Sequence, residues 1–217
     1  MTAGVLRKIG LSLAFASATL ATLGGVVATP PAAAQFQSDG YKFLKAVDEK
    51  DGDTVTQMLN EPGKQLINSR DITSGDTGLH ILLNKPDGQT TTWIKFLLQR
   101  GADPNIRNKK GVTPLQIATT LNLVDAAEEL IKRGAQVNIS DQTGETPLIS
   151  AVHQRSIPMI RRLLEQGANP DQNDNSGRSA RDYANLMNGN SLILREFEKA
   201  DEDRKNKGTS QQYGPSF

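Results

Sequence analysis

Apolar residues from Leu115 onward come in short bursts divided by polar turns. Leu115 and Ala118 fall on one face of a short helix, and Leu148 and Ala151 repeat that pattern. A second burst follows each first one: Val124, Ala127, Leu130 and Ile131, then Ile157, Ile160, Leu163 and Leu164. Each forms a stripe that a helix buries along one side. The punctuation keeps step with the bursts. Gly101, Gly134 and Gly167 recur every 33 residues, in QRGADPN, KRGAQVN and EQGANPD. Gly111, Gly144 and Gly177 form a second ladder of the same period, in GVTPLQIA, GETPLISA and GRSARDYA. The first ladder predicts left-handed helix ends, and the second predicts tight turns with positive φ. After those turns Thr113 and Thr146 are placed to cap a helix. Pro114 and Pro147 suit its first position, where no amide is needed. Each unit therefore reads turn, helix, helix, cap.

These phrases resemble the ankyrin repeat, whose motif runs Gly-x-Thr-Pro-Leu-His-x-Ala and later Leu-Leu-x-x-Gly-Ala-Asp-x-Asn over 33 residues. The resemblance implies an all-α solenoid of stacked helix-turn-helix units joined by hairpin-like loops. Units 108–140 and 141–173 fit without insertion or deletion. Unit 71–107 departs from the motif, with Gly78 in place of proline and extra residues around Lys85–Gln89, but it keeps His80 and RGADPN. Residues 174–200 carry Ser179-Ala180-Arg181 instead of Thr-Pro-Leu and read as a C-terminal cap. Residues 41–70 place Phe43, Leu44, Val47, Val55, Met58 and Leu59 at helical spacing around Lys50-Asp51-Gly52-Asp53, which predicts a degenerate first repeat. Solenoids need such ends to keep an apolar face from water. Residues 201–217 are polar and without period, which predicts a disordered tail.

Charge changes the reading at the N-terminus. Arg7 and Lys8 are the only charged residues among the first 34; an uncharged stretch from Ile9 to Ala28 follows, then Pro30-Pro31 and Ala32-Ala33-Ala34. Basic, apolar, then small is the layout of a secretory signal peptide, with cleavage expected before Gln35 and a short linker at 35–40. A retained membrane anchor is the alternative. Setting the leader aside turns the formal charge of +1 into −1, a balance with no general attraction for nucleic acid or anionic lipid. The expected destination is the periplasm, with secretion from the cell as the alternative. On a eukaryotic route Asn138-Ile139-Ser140 would be a glycosylation sequon.

Catalytic and metal chemistry find little material. The chain has no cysteine and two histidines. The ankyrin resemblance implies that His80 is structural, bonded to a neighbouring turn. His153 reads as a surface contact residue. Asp51 with Asp53, and Asp171 with Asp174, lack the continuation of a calcium loop, and their expected role is to bond turn backbone. Neither an enzyme, a cofactor nor a metal is expected. The resemblance implies instead a concave face of turns and first helices that holds a protein partner. On this chain the face comprises Lys109, Lys110, Val112, Thr120 and Leu121, then Gln142, Thr143, Glu145, His153 and Gln154, then Asn175, Ser176 and Arg178. The expected function is that of an exported scaffold or accessory protein, monomeric alone and without a stable membrane anchor after cleavage. The alternatives are a regulator or inhibitor of an enzyme and a secreted effector acting on a host protein.

Overall fold

The structure, a computed structural model, describes residues 38–187 and 191–206; the predicted leader at 1–34 and the stretch 207–217 lie outside the described residues. The described residues form helices in pairs: α1 (Asp39–Asp48) with α2 (Gly52–Asn60), α3 (Gly78–Asn84) with α4 (Thr90–Gln99), and α5 (Pro114–Thr120) with α6 (Val124–Lys132). Then come α7 (Pro147–His153) with α8 (Ile157–Glu165), and α9 (Ala180–Leu186) with α10 (Ser191–Asn206). The first members α1, α3, α5, α7 and α9 pack on one another in succession, and α4, α6, α8 and α10 form a second row. The all-α solenoid is present.

Short helices need strong ends, because a seven-residue helix has few internal bonds to offset its unpaired termini. The hydroxyls of Thr113, Thr146 and Ser179 accept from the backbone N–H three residues on, and all three residues are buried. Gly75, Gly111, Gly144 and Gly177 precede these caps, or that of Thr77, with φ between 75° and 81°. At Gly144 a second constraint applies: a Cβ would lie 2.6 Å from the Asn175 amide nitrogen, so the next turn closes directly over it. Gly78, where the motif has proline, has its side-chain space filled by Leu97 and by Val47 of the preceding pair.

Between the two rows lies one continuous core, from Phe43 and Val47 through Leu82, Leu97, Leu115, Leu130, Leu148, Ile160 and Leu163 to Phe197. The residues inserted at 85–89 sit in the connection between α3 and α4, where Lys50 Nζ donates to Asp87 at 2.6 Å and Asp87 in turn accepts from the Gln89 amide. They lengthen a surface turn and leave the core register intact. The stack ends differently from the sequence expectation. Helix α10 continues through Asn206, past the expected start of a disordered tail at 201. Arg181 holds that end, donating to both Asp171 and Asp201 and lying over the Phe197 ring. Helix α1 likewise begins at Asp39, inside the expected linker, with Ser38 as its cap.

Candidate protein-interaction face

One edge of the solenoid is a row of turns that share a device. The side chains of Asp71, Asn108, Asp141 and Asp174 each turn Oδ1 back to accept two backbone N–H groups of their own turn. Asp and Asn suit this job because their oxygen reaches the amide two residues on. Burial alone would raise the Asp174 carboxyl, but hydrogen bonds from Tyr183, Ser176 and the turn amides outweigh it and hold the group below the ordinary carboxylate range.

Neighbouring turns are stitched together, and several of the expected contact residues make the stitches. The Lys109 amide donates to Ser74 O, and its ammonium donates to Ile72 O. Gln142 Nε2 donates to Lys109 O at 3.0 Å, and Asn175 Nδ2 donates to Gln142 O at 2.9 Å. The Asn175 amide donates to Thr143 O. Lys109, Gln142 and Asn175 therefore hold the turns in line. Thr143 and Ser176 give their hydroxyls to Asp141 and Asp174. Lys110 and Arg178 are exposed and make no ion pair with any described residue.

A deeper stitch runs through the caps. His80 is fully buried; its Nδ1 accepts from the Thr77 amide, and Nε2 donates to Val112 O of the next turn at 3.0 Å. Burial pushes this imidazole below its ordinary pKa, against the opposing effect of the Val112 carbonyl. Gln116 does the same work one unit later: Oε1 accepts from the Thr113 amide at 2.8 Å and Nε2 donates to Glu145 O at 2.9 Å. On the other loop edge Asn138 Oδ1 accepts from the Asn169 amide while Nδ2 donates to Gly167 O. Asn138 Nδ2, the atom a glycan would take, is therefore already in structural use.

The ends of the turns and the first helices that follow them present side chains in register. Asp76, Val112, Glu145 and Arg178 form one row, Ile81, Ile117, Ser150 and Tyr183 a second, and Asn84, Thr120, His153 and Leu186 a third. The first row is half-buried apart from exposed Arg178, the second is buried to half-buried, and the third is exposed. Leu121 and Leu186 are 46% and 64% exposed, large apolar side chains with water on them. Sequence reading found Thr120, Leu121, His153 and Gln154 here but missed Asp76, Ile81, Tyr183 and Leu186. Extending the 33-residue spacing of Thr120 and His153 by one unit would have reached Leu186, and the 36-residue step from Gly75 to Gly111 would have reached Asn84.

At the centre of the face His153 Nδ1 stands 3.5 Å from Glu145 Oε1, and its ring meets Tyr183 edge-on at 4.6 Å. The Tyr183 hydroxyl donates to Asp174 at 2.6 Å. Ser150 Oγ donates to Glu145 Oε1, also at 2.6 Å. Serine, carboxylate and imidazole meet here in an order unsuited to nucleophilic catalysis, since the carboxylate rather than the imidazole takes the serine's hydrogen bond. Among the described residues no group of His, Asp or Glu is arranged to hold a metal ion, and no helix is long and apolar enough to cross a membrane. Toward the N-terminus the face continues into a hollow of about 300 Å³ lined by Tyr41, Leu44, Asp76, Ile81 and Lys85. A larger groove of about 1260 Å³ lies along the Asn138 edge, but Asn138, Gln172 and Asn175 in its wall are engaged in the stitches between units.

Comparison with known proteins agrees with this architecture. The chain matches the family of ankyrin repeats (3 copies) at residues 43–141, 86–174 and 124–197. It is 35% identical over 80 residues to the human 2-5A-dependent ribonuclease, covering 37% of this chain and 10% of the relative. It is 34% identical over 89 residues to the oxysterol-binding protein homolog 1 of Saccharomyces cerevisiae, covering 40% of this chain and 7% of the relative. The chain thus spans a tenth or less of the length of these relatives, and the likeness to the ribonuclease runs through the ankyrin repeats. The chain belongs to the ankyrin-repeat family.

Proposed function

We propose that this ankyrin-repeat protein is an exported, non-catalytic scaffold or accessory protein that holds a protein partner on the concave face formed by its turns and first helices. Ankyrin repeats are protein-interaction modules, which supports the general class. The observation that carries the specific reading is the set of aligned rows on that face. Along these rows and beside them Leu121, His153, Gln154 and Leu186 are exposed and Lys110 and Arg178 make no ion pair with a described residue, while the turns beneath are fixed by bonds between units. A rigid frame under adaptable side chains lowers the ordering cost of binding. Export rests on the basic, apolar and small-residue order of residues 7–34. The periplasm is the proposed destination.

The test is affinity capture from the exported fraction with the chain as bait, compared with Lys110→Glu and Gln154→Ala. Lys110 is preferred to Lys109, whose ammonium already serves the neighbouring turn. A partner retained by the unaltered chain and weakened at least about tenfold by these changes supports the reading, since loss of a well-packed contact costs 1–2 kcal/mol or more. Unchanged capture rejects the face. Recovery of the chain only from the cytosol, with residues 1–34 attached, rejects export.

A further inference from the structure

The row Asp76, Val112, Glu145 and Arg178 changes character at every step, from carboxylate to apolar to carboxylate to guanidinium. We propose that this row is a polarity code for an extended segment of the partner that presents, in order along the face, a basic, an apolar, a basic and an acidic residue spaced about three apart. The proposal rests on the protein-binding reading above and adds the chemistry of what is bound.

The spacing comes from geometry. Successive first helices pack side by side, and packed helices lie about 8–10 Å apart. An extended chain advances about 3.3 Å per residue, so one unit is crossed in about three residues.

The charges come from what each side chain lacks. On the second-helix side four glutamates are matched within the protein: Glu128 and Glu129 by Lys132, Glu165 by Arg162, and Glu196 by Arg161. Glu145 meets only the Ser150 hydroxyl and the His153 imidazole, both through Oε1, which leaves Oε2 open. Asp76 accepts from Asn108 Nδ2 and makes no ion pair among the described residues. The exposed Arg178 guanidinium stands within electrostatic reach of Asp182 but closes no ion pair there. Two negative steps followed by a positive one, none of them closed in an ion pair among the described residues, steer a partner of the complementary charge order and fix its register. Between the two carboxylates half-buried Val112 gives the apolar step. Asp76 also lends its carboxylate to the next turn through Asn108, so the tests below leave it unchanged. Glu145 and Val112 serve the stitches through backbone oxygen, so side-chain changes leave the frame in place.

A displayed library of random 12-residue peptides, selected on the intact chain and read by sequencing, tests the code. The expected result is enrichment of peptides with two Lys or Arg six apart, an apolar residue midway and an acid three beyond. Glu145→Lys should weaken these peptides at least about tenfold. Arg178→Glu should exchange the acid for a base, and Glu165→Lys on the second-helix side should change nothing. Enriched peptides that lack this charge order, or that are indifferent to Glu145→Lys, overturn the code. If they are still weakened by Leu121→Ala and Gln154→Ala, the binding face stands and only the code falls. If they respond instead to Glu165→Lys, or if no peptide is enriched, both fall.

Discussion

Replacing His80 separates what its two nitrogens do from what its charge does. In the folded chain Nδ1 accepts the Thr77 amide, Nε2 donates to Val112 O, and the ring is fully buried. His80→Ala leaves the Thr77 amide without its acceptor, in a residue only 2% exposed, and opens a cavity. The expected cost is about 3–5 kcal/mol, an unsatisfied donor plus lost packing. His80→Gln should cost less than about 1 kcal/mol, because Gln116 already makes both equivalent bonds on the same scaffold. The two variants also differ in pH response. The imidazole's pKa is lowered by burial in the folded chain, so its stabilising contribution is complete above the unfolded-state value near 6.5 and declines as pH falls below it. Between pH 7.5 and pH 5.5 the wild type should lose up to about 1.4 kcal/mol, and His80→Gln should lose none of this. Urea unfolding at both pH values, followed by the fluorescence of the single tryptophan, Trp93 on α4 of the same unit, measures all of it. A His80→Gln variant as unstable as His80→Ala, or one retaining the wild-type pH slope with His153→Gln as control, would refute the assigned roles.

Three further outcomes follow from the backbone and the stitches. Gly134→Ala should cost about 1 kcal/mol for its positive φ alone, since nothing lies near the added carbon, whereas Gly144→Ala should cost at least about 2 kcal/mol because the Asn175 amide occupies the site. Equal denaturation midpoints would remove the close-approach argument. Arg155, at φ 53° and exposed, occupies a left-handed position that glycine adopts freely, so Arg155→Gly should raise stability by up to about 1 kcal/mol in urea titration, and a loss would show that the side chain contributes more than the strain costs. Asn138→Ala removes bonds to Asn169 N and Gly167 O and should cost about 2–3 kcal/mol, with faster amide exchange at Asn169; unchanged exchange there would place the stabilisation elsewhere.

Much of this protein was legible because its rules are local. A threonine cap, a proline at the first helical position and a glycine at positive φ act within four residues of one another, and the 33-residue period repeats them until the pattern is unmistakable. The candidate face was legible in part. Thr120, Leu121, His153 and Gln154 lie at helix positions whose exposure follows from the period. Tyr183 and Leu186 escaped notice because the last unit departs from the motif, although they occupy the same register.

By itself the sequence determined the repeat, the pairing of helices and the residues that cap them, since each depends on neighbours in the chain. Only the tertiary structure decided which turn residues are committed to the frame. Lys109, Gln142 and Asn175 look like free polar tips, yet each bonds to a turn 33 to 37 residues away. The equivalence of Gln116 and His80 appeared the same way, through carbonyls of the following unit. Helix α10 runs to Asn206 for a similar reason: a polar segment with no apolar period is held by Arg181 from α9, a partner that proximity in sequence does not supply.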